Sequence, residues 1–220
     1  FGFSSDTDTE VILKAFQVWG VSAVERFRGM FAFAIWEKTT QKLTLCRDRI
    51  GAKPLYWYWK DGLFMFASEL KAFHEHPAFD KGINQDAVSL FLQQGYIQAP
   101  HCIFSHAHKL EPGCMLELNC NADIKIQRYW SAEDVYKNIE PTQKSEGEVL
   151  EETEEILRES FELRLVSDVP VGMFLSGGID SSLVTSMLQK HSNRQLKTFT
   201  IGFDDEAHNE APYARAIADH

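Results

Sequence analysis

The 220-residue sequence has no stretch of 18 or more apolar residues, so nothing in it is long enough to cross a bilayer as a helix. Its amino end lacks the basic, apolar and small-residue succession of a signal peptide, and no secretory leader is expected. Positive charge is scarce: 22 Lys and Arg against 32 Asp and Glu give a net charge of -10. A surface of that sign repels phosphate backbones and anionic membranes at long range. The expected partners are therefore small molecules or proteins, with no nucleic acid and no membrane. Cysteine is also sparse. Four of them, at positions 46, 102, 114 and 120, show no CxxC spacing in a chain too long to need staples. No disulfide framework is expected, and reduced cytosol is the natural compartment. His74 with His76 and His106 with His108 form pairs without a third ligand at sensible spacing, so they read as solvated loop histidines rather than zinc ligands.

What is present is ordinary globular composition, 44% apolar and 25% charged, over a length that suits two domains, each with a core of its own. Thr7 and Glu10 spell a capping box, and Gly20 stands where the helix should end, which predicts an amphipathic helix over residues 8–19. FAFAIW, KLTLCRD, PLYWYW and LFMFAS are short aromatic and aliphatic runs separated by turn residues, and they read as strands. Asp61 and Gly62 suit the two positive-φ positions of a type I′ hairpin, making the last two of these strands antiparallel. A capped helix is expected over 84–94, then two more strands over 110–118 and 125–130.

Residues 131–148 are polar and acidic, hold Pro141 and Gly147, and show no period, so they read as a linker between domains over 1–130 and 149–220. Val149, Leu150, Thr153, Ile156, Leu157, Ser160 and Phe161 then recur at helical spacing. VPVGMFL (169–175) reads as a buried strand, SGGIDSS (176–182) as a hydroxyl-rich loop and LVTSMLQKH as a helix. A strand-loop-helix order leaves the first helical amides facing the loop, which makes a site for phosphate or pyrophosphate. Gly177 and Gly178 would let an oxyanion approach the backbone, Ser176, Ser181 and Ser182 add hydroxyls, and Asp180 could hold magnesium against the phosphates. The bland alternative is an ordinary strand-to-helix turn capped by Asp180 or Ser181. It weakens over seven consecutive residues of this kind.

Two rival motifs are absent. A Walker A loop requires GxxxxGK[ST], and Gly178 occupies the lysine position. A nucleophile elbow requires GxSxG, and Phe174 replaces its first glycine around Ser176.

SDVPVGMFLSGGIDSSLV resembles the pyrophosphate loop of the N-type ATP pyrophosphatases, and with the preceding SDVP it resembles asparagine synthetases in particular. SDTDTEV, RGMFAFAIW, RDRIGAKPLYW, FASELKA and KLEPGCMLEL resemble, in this order, the second half of the glutaminase domain of the same enzymes. The resemblance thus covers nearly the whole chain. It implies an α+β amino-terminal-nucleophile glutaminase domain with antiparallel sheets, followed by an α/β ATP pyrophosphatase domain with a parallel sheet, both partial. It further implies ATP and Mg2+ as cofactors. Phe174 and Leu175 would offer backbone contacts to the nucleotide, and Ser176, Gly177, Gly178, Asp180, Ser181 and Ser182 would surround the pyrophosphate. Asp180 would be the metal ligand. Ile201, in the next strand KTFTIGF, would meet adenine, with a plain core isoleucine as the equal alternative.

In the glutaminase half, the resemblance gives Asp8 the α-ammonium of bound glutamine; from the residues alone it is equally a first-turn acid favoured by the helix dipole, and the roles are compatible. The family's nucleophile is a cysteine at the mature first position, whose α-amino group serves as base. Residue 1 is Phe, and Cys46, mid-strand without a free amine, cannot substitute. No catalytic residue is therefore assigned in this chain. Glu210 and Tyr213, in the family-like NEAPYA stretch, receive no role.

The full-length protein is expected to hydrolyse glutamine in one domain and to amidate aspartate to asparagine through a β-aspartyl-adenylate in the other. The resemblance also implies a homodimer, which nothing in spacing or composition shows. The start, FGFSSDTDTEV, and the end, APYARAIADH, read as cuts, so this piece is expected to be inactive by itself, with at most weak nucleotide binding. The alternatives are a relative such as a β-lactam synthetase acting on another acid, or an inactive homologue kept as a binding or dimerisation module.

Overall fold

The computed structural model describes residues 2–220, and Phe1 lies outside them. The chain divides into two compact units, Phe1–Glu140 and Pro141–His220.

The first unit opens with α1 (Asp8–Trp19), ended by Gly20 at φ +58. The expected capping box does not form, because Thr7 makes no side-chain cap bond. Glu10 reaches past it to Ser4 and Ser5, which offer two amides and two hydroxyls at 2.6–3.1 Å instead of the single amide at Thr7. Strands β1 (Ala32–Glu37), β2 (Lys42–Arg47), β3 (Tyr56–Lys60) and β4 (Leu63–Ala67) follow. Asp61 and Gly62 take φ of 49° and 79°, closing β3 and β4 as an antiparallel hairpin. Helix α2 (Gln85–Gln94) is capped by the Asn84 side chain and ends at left-handed Gly95.

Next come β5 (Ala107–Lys109), which is too short to give a sequence signal, then β6 (Cys114–Leu118) and β7 (Ile124–Arg128). They assemble two antiparallel sheets, ordered β1-β2-β6-β7 and β4-β3-β5. Strand β2 is buried on both faces. Leu45 joins Leu55, Leu110, Cys114 and Leu116, while Cys46 joins Val24 and Met115. Below the second sheet, Tyr58 packs with Phe73 and Phe79. The stretch expected to be an irregular linker holds a short helix, α3 (Ala132–Lys137), because Ser131 caps Asp134 and Glu133 and Asp134 favour its first turn.

The loop after β2 is tied by side chains. Asp48 is fully buried and accepts from the amides of Ala52 and Lys53 at 2.9 Å and of Phe31 at 3.3 Å. Arg47 donates to the carbonyls of Gly51, Lys53 and Leu110, and Arg49 to those of Glu25 and Phe27.

In the second unit, α4 (Glu146–Glu162) starts from a complete capping box of Ser145 and Glu148. Strand β8 (Met173–Phe174), α5 (Ile179–His191), β9 (Thr198–Phe199) and α6 (Ala211–Asp219) complete it. β8 and β9 pair in parallel. The expectation of a buried strand over 169–175 is corrected: only two residues pair, Val169 and Phe174 are 68% and 78% exposed, and Leu175 alone is buried. Pro170 cannot donate to a ladder and Gly172 weakens a strand interior, so pairing is confined to the residues after them.

Candidate functional site

Residues 176–182 leave the carboxyl end of β8 and enter α5 with Gly178 as the N-cap, which carries no side-chain cap bond. The amides of Ile179, Asp180 and Ser181, at the head of the helix, find no acceptor among the described residues. The hydroxyls are already engaged with one another and with the backbone. Ser176 Oγ and Ser181 Oγ lie 2.9 Å apart, Ser176 Oγ accepts from Gly178 N at 3.2 Å, and Ser181 and Ser182 donate to the Gly178 carbonyl at 3.2 and 2.7 Å. The free donors for an anion are thus the helix amides, with the hydroxyls fixing the loop's shape.

Gly177 has φ +82, and a Cβ there would lie 2.6 Å from Tyr213 Cβ and 2.9 Å from Ala214 N. Its missing side chain lets the loop seat on the first turns of α6, so on that face it serves packing rather than ligand approach. Gly178 keeps the more open side, its nearest neighbour being Ser176 Oγ at 3.3 Å. Asp180 is exposed in the first turn of α5. Among the described residues no group of three or more His, Cys, Asp and Glu is placed to hold a metal. One carboxylate beside helix-head amides without an acceptor among the described residues is nevertheless a donor type that suits magnesium, which is commonly held by one or two carboxylates plus substrate phosphates.

Leu175 has little backbone left for a nucleotide. Its amide donates to Phe199 O at 2.9 Å, and its carbonyl accepts from Thr200 Oγ1 at 2.6 Å. Phe174 is exposed beside it, and Ile201 is 67% exposed. Thr200 was not among the expected site residues; a threonine in a β-rich run gives no sign that its hydroxyl will replace a ladder bond. Tyr213 gains a place against Gly177, and Glu210 stands before α6, its carbonyl accepting from Ala214 N at 3.0 Å.

In the first unit, Asp8 is the first residue of α1, exposed, and its carboxylate has no partner among the described residues. Glu10, two residues on, is engaged by Ser4 and Ser5. The Ser5 hydroxyl and the Ser4 amide draw its carboxyl down to about 2. Among the described residues, Glu10 is thus held within the chain and Asp8 is not. Cys46 is buried, and desolvation pushes its thiol up to about 12, the opposite of an activated nucleophile. Burial also raises Cys102 and Cys114. Iodoacetamide near pH ~8 is therefore expected to label only the exposed Cys120 of the folded chain and all four cysteines after denaturation, read by intact mass.

With this geometry in place, residues 1–130, more than half of the chain, match the family model described as glutamine amidotransferase domain. The chain belongs to the glutamine amidotransferase family. Residues 152–220 of this amidotransferase chain match the model described as asparagine synthase. It is 38% identical over 218 residues to a protein of Methanocaldococcus jannaschii named putative asparagine synthetase [glutamine-hydrolyzing] 2, covering 97% of this chain and 41% of that one. Asparagine synthetase [glutamine-hydrolyzing] 1 of Bacillus subtilis is 34% identical over 218 residues, covering 99% and 33%. Amidase chyE of Penicillium rubens is 32% identical over 233 residues, covering 99% and 34%. The likeness to glutamine-hydrolysing asparagine synthetases drawn from the motifs is borne out. The amidotransferase chain spans between a third and about two fifths of the length of these relatives. A solved structure of glutamine phosphoribosylpyrophosphate amidotransferase from B. subtilis aligns with a TM-score of 0.41 at 16% identity, covering 91% of this chain and 40% of its own.

Proposed function

We propose that the full-length protein is an ATP-dependent, glutamine-dependent ligase that amidates aspartate to asparagine, and that the loop and helix start at 176–182, with Phe174 and Ile201, hold its ATP. The observation that carries this reading is the strand-loop-helix at 173–191, where three helix-head amides lack an acceptor and an exposed Asp180 stands in the same turn. These amides would take the pyrophosphate end of the nucleotide. The aspartate side-chain carboxylate would attack the α-phosphorus, giving β-aspartyl-adenylate as pyrophosphate leaves with the bonding pair. Ammonia would then attack the acyl carbon and expel AMP. Magnesium, when bound, neutralises charge on the pyrophosphate, and Asp180 would be its protein ligand. In the glutaminase half, the free carboxylate of Asp8 would pair with the α-ammonium of glutamine. Four free cysteines suit a cytoplasmic location, which belongs to the same proposal, as does a homodimer.

The test is calorimetric titration of magnesium-ATP into the full-length protein and its Asp180→Ala variant. Affinity is expected to fall by about tenfold or more in the variant, as a charge-assisted ligand is lost. Equal affinities would remove Asp180 from the site, and no binding to the parent would remove the nucleotide reading. A second reading, in which the same scaffold acts on a different substrate, is favoured by the 32% identity to a relative named an amidase rather than an asparagine synthetase. Asparagine formation from aspartate by the full-length protein distinguishes the two.

A further inference from the structure

β8 and β9 are paired Met173 with Thr198 and Phe174 with Phe199, and the cross-strand bonds run from Met173 N to Lys197 O and from Leu175 N to Phe199 O, each 2.9 Å. Continued one step, this register would give the Leu175 carbonyl to the amide of Ile201. That bond is not made. Thr200 Oγ1 donates to the Leu175 carbonyl at 2.6 Å in its place, at a partly buried position.

The substitution has two consequences at the point where the loop begins. The Leu175 carbonyl, in a residue only 2% exposed, is satisfied by a side chain, so the last residue before Ser176 stays fixed to the sheet. The backbone after Thr200 leaves the ladder at the same end of the sheet, where Ile201 is 67% exposed. Ser176 N then donates to Ser181 Oγ at 3.3 Å, carrying the fixed position of Leu175 on to the head of α5.

We infer that Thr200 is a positioning residue for the nucleotide site, its hydroxyl holding the root of the 176–182 loop while freeing Ile201 from the sheet. This rests on the nucleotide reading above. The hydroxyl acts through Leu175 and Ile201 and touches no substrate itself. Valine has the same shape and strand preference without the donor, so Thr200→Val removes the bond alone, whereas Thr200→Ser retains it.

The experiment uses the full-length protein and measures steady-state synthesis with ammonia, magnesium-ATP binding by calorimetry, and glutamine hydrolysis. Thr200→Val is expected to raise KM and Kd for magnesium-ATP about tenfold with glutamine hydrolysis unchanged, and Thr200→Ser to return both to within about twofold of the parent. A role confined to stability would lower all activities together and would not be rescued selectively in the ATP terms. If Thr200→Val misfolds, the smaller Thr200→Ala variant answers the same question. Unchanged ATP parameters in a folded Thr200 variant, with Asp180→Ala still weakened, overturn the role of Thr200 and leave the nucleotide site standing. Failure of the parent to bind magnesium-ATP overturns the nucleotide reading and this inference with it.

Discussion

Gly177→Ala is expected to abolish measurable magnesium-ATP binding while the first unit stays folded. The backbone at Gly177 lies at φ +82, a region that costs an L-residue about 1–2 kcal/mol. The added methyl would also stand 2.9 Å from Ala214 N and from the Tyr213 carbonyl carbon, and 2.6 Å from Tyr213 Cβ. Backbone atoms in the first turns of α6 cannot rotate away, so either α6 or the loop must shift, at a further ~1–3 kcal/mol. Ser176 and Gly178 flank this residue, so a shift there displaces the head of α5. Gly178→Ala is the control. Its φ is -73, and the new methyl would meet only Ser176 Oγ at 3.3 Å, so the fold should tolerate it. Binding by both variants equal to that of the parent would show that the loop's seat on α6 has no bearing on the nucleotide.

Asp48→Ala is expected to destabilise the first unit by about 3 kcal/mol or more, because three backbone amides lose the acceptor that a fully buried carboxylate supplies. The carboxylate holds Ala52 and Lys53 at one end of the loop and Phe31, just before β1, at the other. Backbone atoms of the same residue complete the tie, with Asp48 N donating to Phe31 O and Asp48 O accepting from Gly113 N, both at 2.9 Å. Asp48→Asn keeps the shape and one oxygen. Placed at the Oδ2 position, that oxygen serves Phe31 and Lys53 while the amide group faces Ala52 N, so roughly half the loss is expected. Urea unfolding followed by tryptophan fluorescence reads the result for this unit alone, since all five tryptophans, at 19, 36, 57, 59 and 130, lie within it. A midpoint unchanged in Asp48→Ala would mean that water replaces the carboxylate without cost.

Much of this protein is set by local chemistry, and those parts were legible. Helix α1 runs over the residues that its period and Gly20 predict, because propensity, amphipathic spacing and a glycine stop act within a few residues of one another. The Asp61–Gly62 hairpin follows from two residues that tolerate positive φ between two apolar runs. The strand-loop-helix at the proposed nucleotide site was likewise visible in an apolar run, a small-residue loop and a helical run in succession.

What the sequence could not decide is where long-range partners draw a group away from its local choice. Glu10 forms a local capping box on paper, yet four donors on Ser4 and Ser5 outcompete the one at Thr7. Asp48 stands between two arginines in the sequence, with nothing local to mark its role. It becomes a fully buried acceptor only because β1, β2 and the 113–130 segment meet around it, while the arginines are spent on carbonyls. Gly177 reads as room for an oxyanion until α6 is seen to fill that room, and Thr200 reads as a strand residue until its hydroxyl takes the place of an amide. The sequence by itself determined most of the elements and the family, since periodicity and motif patterns are short-range. The tertiary structure alone decided which acids, hydroxyls and glycines are used internally and which stay free for a ligand, because hydrogen-bond satisfaction and burial depend on what the rest of the chain brings into contact.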